Sequence, residues 1–179
     1  MKKKLLFVFN PKSGKGLIKE HLVNIVDIMT KAGYKITIYP TQCQGDAIKK
    51  VRKNAKKYDL VVCSGGDGTL DEVVTGMEQS EVNVPIGYIP AGSTNDFANS
   101  LGIPKNMEEA ARVAVNGTPF PCGRLQRRYL RICRSLWPFY RGILPDLAAD
   151  EKYTGTCSIY FRGCKAPDGY HLVQDEGEP

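Results

Sequence analysis

The sequence predicts an α/β domain built on a doubly wound, mostly parallel sheet. In the first 120 of its 179 residues, short apolar runs alternate with amphipathic segments, as expected when strands alternate with helices. Three of the apolar runs lead directly into polar loops that contain glycine. In a sheet of this kind such loops meet at the carboxyl ends of the strands, where ligands bind.

The first strand and helix are predicted near the N-terminus. Leu5 to Phe9 is apolar but ends at Asn10, so it is shorter than the roughly 7 to 15 apolar residues of a signal peptide and is interpreted as a strand. Apolar residues then recur at helical spacing up to a stop at Gly33. These residues are Ile18, Leu22, Ile25 and Met29.

Six further elements are predicted up to residue 117. They are a strand over 35–39, a helix opened by Gly45 and Asp46 with Ile48, Val51 and Ala55 facing inward, a buried strand over 59–63, a helix over 72–78, a strand over 85–89, and a helix over 107–115 closed by Asn116 and Gly117.

Length and composition limit the class of protein. A chain of 179 residues suits one domain rather than two full ones. The net charge of +6 is compatible with an anionic ligand or membrane surface, but no basic stripe interleaved with aromatic residues indicates nucleic-acid binding. No apolar run reaches the roughly 18 to 20 residues needed to span a bilayer. The six cysteines show no zinc-ligand spacing, so we expect reduced thiols.

The most informative motif runs from Ser64 to Leu70, directly after an apolar run. Gly65, Gly66 and Gly68 let backbone N–H groups approach an anion, and the following helix directs its positive end to the same place. Asp67 would repel phosphate unless a divalent cation lay between them, so Asp67 is a candidate metal ligand. The alternative is a tight connection in which Asp67 only caps a helix.

Two further loops supply polar groups at the same predicted edge of the sheet. The first runs from Asn10 to Gly16, and the second from Pro90 to Phe97. Neither matches the phosphate-binding loop or the dinucleotide fingerprint of other nucleotide-binding folds. Taken alone, the first could be a turn that caps a helix, and the second could be an Asx-type helix start with its aromatic residue in the core. The two loops offer three kinds of candidate group for ligand binding. These are the cations Lys12 and Lys15, the hydroxyls of Ser13, Ser93 and Thr94, and the polar loop anchors Asn10, Asn95 and Asp96.

Taken together, the motifs resemble the catalytic domain of the diacylglycerol kinase and sphingosine kinase family, particularly its soluble bacterial lipid kinases. The resemblance covers about residues 3–120. Four ordered segments carry it, namely 10–16, 41–47, 65–74 and 90–98. The glycine turn alone also occurs in NAD kinases, which share the fold.

The resemblance implies an enzyme that transfers the γ-phosphoryl group of ATP to a lipid hydroxyl, most simply that of diacylglycerol, with Mg²⁺ as cofactor. Asp67 is the candidate catalytic residue. The implied partner is a lipid substrate at a membrane surface, with a homodimer as a further expectation, and the implied location is cytoplasmic and peripheral to the inner face of the membrane. The candidate nucleotide-binding set is Asn10, Pro11, Lys12, Ser13, Gly14, Lys15, Thr41, Gly65, Gly66, Asp67, Gly68, Thr69, Leu70, Glu72, Gly92, Ser93, Thr94, Asn95 and Asp96.

The segment after residue 120 departs from the family pattern, in which a mostly β second domain follows. Residues 1–120 contain 14 Lys and 2 Arg, whereas residues 121–179 contain 2 Lys and 7 Arg. We therefore expect 1–120 to be the nucleotide-binding kinase domain and 121–179 to be a short atypical tail. A frame shift, a truncation at a cloning junction or an aberrant gene model would produce such a tail, and a divergent small subdomain is the alternative.

Two other functions stay open at the sequence level. A non-catalytic nucleotide-binding fragment would keep the loops but lack phosphoryl transfer. An NAD kinase would share the central turn but explains 10–16 and 95–97 less well.

Overall fold

The computed structural model describes residues 2–117, 119–125 and 157–162. The elements in chain order are β1 (Lys3–Phe9), α1 (Ile18–Lys31), β2 (Tyr34–Pro40), α2 (Asp46–Asn54), a 3₁₀ turn (Ala55–Lys57), β3 (Leu60–Gly65), α3 (Asp67–Glu78), β4 (Ile86–Pro90), α4 (Asp96–Ser100), α5 (Met107–Asn116), β5 (Pro119–Leu125) and β6 (Cys157–Arg162).

The strands form one sheet in the order β2-β1-β3-β4-β6-β5. β1 pairs in parallel with both β2 and β3, and β3 pairs in parallel with β4. β6 joins β4 in parallel, and β5 is antiparallel to β6. The chain therefore winds outward in both directions from the middle of a mostly parallel sheet, as the sequence predicts.

Two helical layers enclose the sheet. α1 packs beside α5, and α2 packs beside α3. Connections between parallel strands of one sheet are right-handed as a rule, and with this strand order the rule puts the two pairs on opposite faces. β3 is buried along its whole length, which is why its sequence is a continuous apolar run instead of an alternating one.

The structure differs from the sequence prediction at the start of α3 and at one residue of α2. α3 begins at Asp67 rather than at Glu72, because the chain turns within Gly66 and the amides of Thr69 and Leu70 already donate to the Gly66 carbonyl. In α2 the buried residues are Ala47 and Val51. Ile48, predicted to face inward, is half-buried, and it is its backbone that lies against Gly76 of α3.

The prediction for the tail falls largely outside the described residues. Within 121–179 the backbone is described only at 121–125 and 157–162, which belong to β5 and β6. In the part of the chain that the structure describes, no helix combines the length and the apolar character needed to cross a bilayer.

Candidate functional site

The candidate site lies where β1, β3 and β4 end. The register pairs Phe9 with Ser64 and Gly65 with Pro90, so the three strands finish at the same level. The next residues continue the ladder, because the Asn10 amide donates to the Ser64 carbonyl at 3.0 Å and the Ala91 amide donates to the Gly65 carbonyl at 2.8 Å. We call the segments that leave this edge loop 1 (residues 10–16), loop 2 (65–70) and loop 3 (90–97).

Loop 1 is tied to loop 2 through Ser13. The Gly66 amide donates to Ser13 Oγ at 3.0 Å. Asn10 shapes the loop from inside, since its Oδ1 accepts from the Lys12 amide at 2.9 Å and its carbonyl accepts from the Ser13 amide at 3.2 Å. These bonds support the interpretation of Asn10 as a loop anchor.

Loop 3 lies against both other loops at distances that only glycine permits. A Cβ on Gly92 would lie 2.6 Å from the Gly66 Cα, and a Cβ on Gly14 would lie 2.4 Å from the Ala91 carbonyl oxygen. Gly14 also has a φ of +55°, a backbone conformation that residues other than glycine rarely adopt. The glycines of the motifs therefore allow three backbones to converge.

Asn95 fixes the turn of loop 3. Its Oδ1 accepts from the Gly92 amide at 2.9 Å, and its Nδ2 donates to the Gly92 carbonyl at 2.7 Å. Asn95 has a φ of +52°, a conformation that asparagine tolerates better than most residues. Phe97 is 3% exposed in the core. A helix does begin at Asp96 with Phe97 in the core, as the helix-start interpretation predicts. The Asx-type part of that interpretation is wrong, because the Asn95 side chain bonds back to Gly92 and makes no capping bond to α4.

Asp67 joins loop 2 to loop 3. Its Oδ2 accepts from the Asp96 amide at 3.2 Å, and its Oδ1 accepts from the Phe97 amide at 3.3 Å. A carboxylate in this position satisfies amides that the first turn of α4 leaves without helical partners. Asp67 therefore caps a helix, but the helix is α4 and not its own.

Both predicted cations and two of the three predicted hydroxyls lie on the solvent side of the site. Lys12 and Lys15 are exposed on loop 1, and Ser93 and Thr94 are exposed on loop 3. Leu70 behaves differently, because its side chain is 1% exposed and packs in the core. Any contact of Leu70 with a ligand would therefore use its backbone.

A fourth segment, which we call the Thr41 loop (residues 41–46), flanks loop 1. The Thr41 amide donates to the Phe9 carbonyl at 2.9 Å. Asp46 holds this loop from within, since its Oδ1 accepts from the Tyr39 hydroxyl at 2.8 Å and its Oδ2 from the Gln42 amide at 2.9 Å. The bond from the Gln42 amide, followed by the Tyr39 bond, lowers the pKa of Asp46.

Glu72 is placed differently from the other candidates. Its carboxylate accepts from the amides of Gly45 and Ala47, so it contacts the N-terminus of α2 instead of the glycine turn.

Burial raises the pKa of the neighbouring Cys63 thiol, and the Glu72 charge raises it further. A thiol in this state is unreactive, and both described cysteines, Cys43 and Cys63, are free thiols.

Sequence reasoning missed two residues beneath the loops. The buried Tyr88 hydroxyl donates to the Gly65 carbonyl at 3.0 Å, and a tyrosine within an apolar strand is the signal that such a bond exists. Ser64 is fully buried, and its Oγ has no hydrogen-bond partner among the residues that the structure describes. Ser64 opens the glycine motif in the sequence, but a serine at the end of a buried strand is not distinctive, so the sequence assigns no role to it.

The fold and the converging loops define an α/β domain with a candidate ligand site at the carboxyl ends of its strands, and comparison with known families makes the class specific. The model of the diacylglycerol kinase catalytic domain matches residues 4–123. The chain belongs to this family, as the motifs predict.

Relatives and solved structures agree with this assignment. The chain is 37% identical over 131 residues to a diacylglycerol kinase of Bacillus subtilis (strain 168), and the match covers 71% of the chain and 43% of that protein. A diacylglycerol kinase of Staphylococcus aureus (strain JH9) is 37% identical over 132 residues, with 72% and 42% covered. The crystal structure of a diacylglycerol kinase from Bacillus anthracis str. Sterne superposes with a TM-score of 0.63 at 35% identity, covering 69% of this chain and 46% of that one. The chain thus spans less than half the length of these relatives.

Proposed function

We propose that this chain carries the nucleotide-binding half of an ATP-dependent lipid kinase, with the hydroxyl of diacylglycerol as the preferred acceptor and phosphatidic acid as the product. The observation that carries the proposal is the joining of three loops around the ends of β1, β3 and β4, through Ser13 Oγ to the Gly66 amide and through Asp67 to the amides of Asp96 and Phe97. Family membership supplies the reaction class.

The site has the features that a triphosphate requires. Gly92 approaches Gly66 so closely that a side chain on Gly92 does not fit, so backbone forms the surface where loops 2 and 3 meet. The Gly66 and Gly92 amides themselves donate to Ser13 Oγ and Asn95 Oδ1 and hold the loops together. Gly68 has open space where its Cβ would lie. Lys12 and Lys15 are exposed on loop 1 and would supply positive charge beside the phosphates.

Mg²⁺ fits the site through a single carboxylate. Among the described residues no group of three or more His, Cys, Asp or Glu side chains is arranged to hold a metal ion. Mg²⁺ in kinases is commonly held by one or two carboxylates together with substrate phosphates, and an ionised carboxylate has about four acceptor positions. Asp67 therefore retains capacity after accepting two amides. When bound, Mg²⁺ would screen the charge of the phosphate oxygens.

The residues of the chain would act chiefly by positioning. In the proposed reaction the lipid oxygen forms a bond to the γ-phosphorus, the bond from that phosphorus to the β–γ bridging oxygen breaks, and the hydroxyl proton passes to a base. Transfer of this kind depends on in-line alignment and on charge stabilisation, so a rigid cradle with nearby cations is the main contribution required of this half.

The kinase proposal is tested with the full chain, Mg-ATP and diacylglycerol in mixed micelles, with phosphatidic acid as the measured product. We expect product formation that falls at least about 100-fold in Asp67→Ala, the scale of loss when a group that stabilises transferring charge is removed. Asp27→Asn, on the exposed side of α1, is the charge-matched control and should retain wild-type activity. Absence of product in the wild-type chain would refute the kinase proposal for this chain.

A non-catalytic nucleotide-binding fragment is the second candidate. It is favoured by the fact that every group brought together here lies on the nucleotide side, while the match spans 43% of the Bacillus subtilis relative. Binding of Mg-ATP without phosphatidic acid would select it, and phosphorylation of NAD under the same conditions would select an NAD kinase. Sedimentation with anionic phosphatidylglycerol vesicles tests the proposed attachment to a membrane surface.

A further inference from the structure

Glu72 makes a paired contact between two helices. Its Oε1 accepts from the Gly45 amide at 2.8 Å, and its Oε2 accepts from the Ala47 amide at 3.3 Å. Glu72 lies in α3, whereas the two amides flank the start of α2 at Asp46. The contact therefore joins the helix that follows loop 2 to the end of the Thr41 loop.

The contact has a clear physical basis. The first amides of a helix have no partner within the helix, and the positive end of the helix dipole attracts a carboxylate. Gly45 precedes the helix with a φ of +78°, and its N–H group donates to Glu72. One side chain thereby satisfies two amides that are otherwise left to solvent.

The contact also determines where the Thr41 loop lies. At its beginning this loop is bonded to β1 through the Thr41 amide. Inside, the Gln42 amide donates to Asp46. Glu72 is bonded to the far end of the Thr41 loop. The end of loop 2 and Glu72 both belong to α3, so movement of α2 away from α3 would separate the Thr41 loop from loop 2.

We propose that Glu72 is a positioning residue for the nucleotide and does not itself contact it. This inference rests on the proposed nucleotide site, and it differs from the direct contact that family resemblance implies. Among the described residues its carboxylate is bonded to the two amides at the start of α2 and to no group of loops 1, 2 or 3, and a carboxylate without such partners would repel a triphosphate. Its role is to keep the Thr41 loop beside loops 1 and 2.

The test compares Glu72→Gln with Glu78→Gln in the full chain. Glu78 lies in the same helix and is exposed, so its substitution removes an equal charge. We expect Glu72→Gln to raise the Kd for Mg-ATP about tenfold, to leave kcat at saturating ATP within about twofold of wild type, and to speed hydrogen exchange at the amides of Gly45 and Ala47. Glu78→Gln should match wild type in all three measurements.

Two results would overturn the inference while leaving the proposed nucleotide site intact. One is an unchanged Kd in Glu72→Gln. The other is a loss of exchange protection at Gly45 and Ala47 when the wild-type chain is saturated with Mg-ATP, since that would show the carboxylate leaving the amides for the nucleotide. The second measurement needs no variant, so it decides even if Glu72→Gln does not fold. A wild-type chain that binds no Mg-ATP would instead overturn the proposed function, and the inference with it.

Discussion

Replacement of Gly92 by alanine tests the convergence of the loops most sharply. The new Cβ would lie 2.6 Å from the Gly66 Cα and 2.8 Å from Asn95 Oδ1. The first of these neighbours is backbone and cannot rotate away, so loops 2 and 3 must separate. Overpacking of this kind costs about 1–3 kcal/mol. For a chain of this size, each kcal/mol corresponds to about 2–4 °C in Tm.

Gly68 provides a matched control in the adjacent loop. It lies in α3 without a positive φ, and no atom lies within 4 Å of the position that a Cβ would take there, so Gly68→Ala should leave stability unchanged or raise it by up to about 1 kcal/mol. The assay is urea unfolding followed by circular dichroism, with Mg-ATP affinity from calorimetry. We expect Gly92→Ala to lose both stability and affinity, and Gly68→Ala to lose affinity alone. If Gly92→Ala matched wild type in both, the convergence of the loops would be refuted.

Further predictions concern individual side chains. Ser64→Ala should leave the free energy of unfolding in urea unchanged or raise it by about 1 kcal/mol, because it removes a buried hydroxyl that has no partner within the described part of the chain. A clear loss of stability would show that the hydroxyl is bonded. Burial raises the pKa of Asp71, so the charged carboxylate is disfavoured in the folded state and Asp71→Asn should raise Tm at pH 7. This gain in Tm should vanish below about pH 3, where the carboxyl is protonated in both the folded and the unfolded state. A hydrogen bond from His21 lowers the pKa of Glu108, so the ionised carboxylate of Glu108 stabilises the folded state at pH values above its ordinary pKa. This stabilisation is lost as the pH falls through the lowered pKa of the folded state. The Tm difference between wild type and Glu108→Gln should therefore be present at pH 6 and disappear below about pH 3, and a difference that persists there would contradict this origin.

The fold was predictable because hydrophobic pattern and burial coincide in this chain. The run from Leu60 to Cys63 reads as a buried strand and lies in the middle of the sheet. Ile18, Ile25 and Met29 recur at helical spacing and are fully buried on α1. The start of α3 was not predictable in the same way, since glycines that suggest a loop also permit the close turn from which that helix begins at Asp67.

The site was predictable in its loops but not in the partners of its side chains. Strand ends and glycines indicate that loops 1, 2 and 3 share an edge, because the order of elements in a parallel sheet determines that edge. The bond from the Gly66 amide to Ser13 Oγ and the contacts of Glu72 with α2 join residues far apart in the chain. Such pairings depend on how the helices and loops pack in three dimensions, and the local sequence does not indicate them.

The central claim is that loops 1, 2 and 3 together bind a nucleotide. Backbone amide chemical shifts of the full chain, measured by NMR during titration with Mg-ATP, test this claim most directly. We predict saturable shifts that are largest at Ser13, Gly66, Gly68 and Gly92 and small on the β2 edge of the sheet. Absence of shifts at saturating Mg-ATP, or shifts confined to residues outside the three loops, would contradict it.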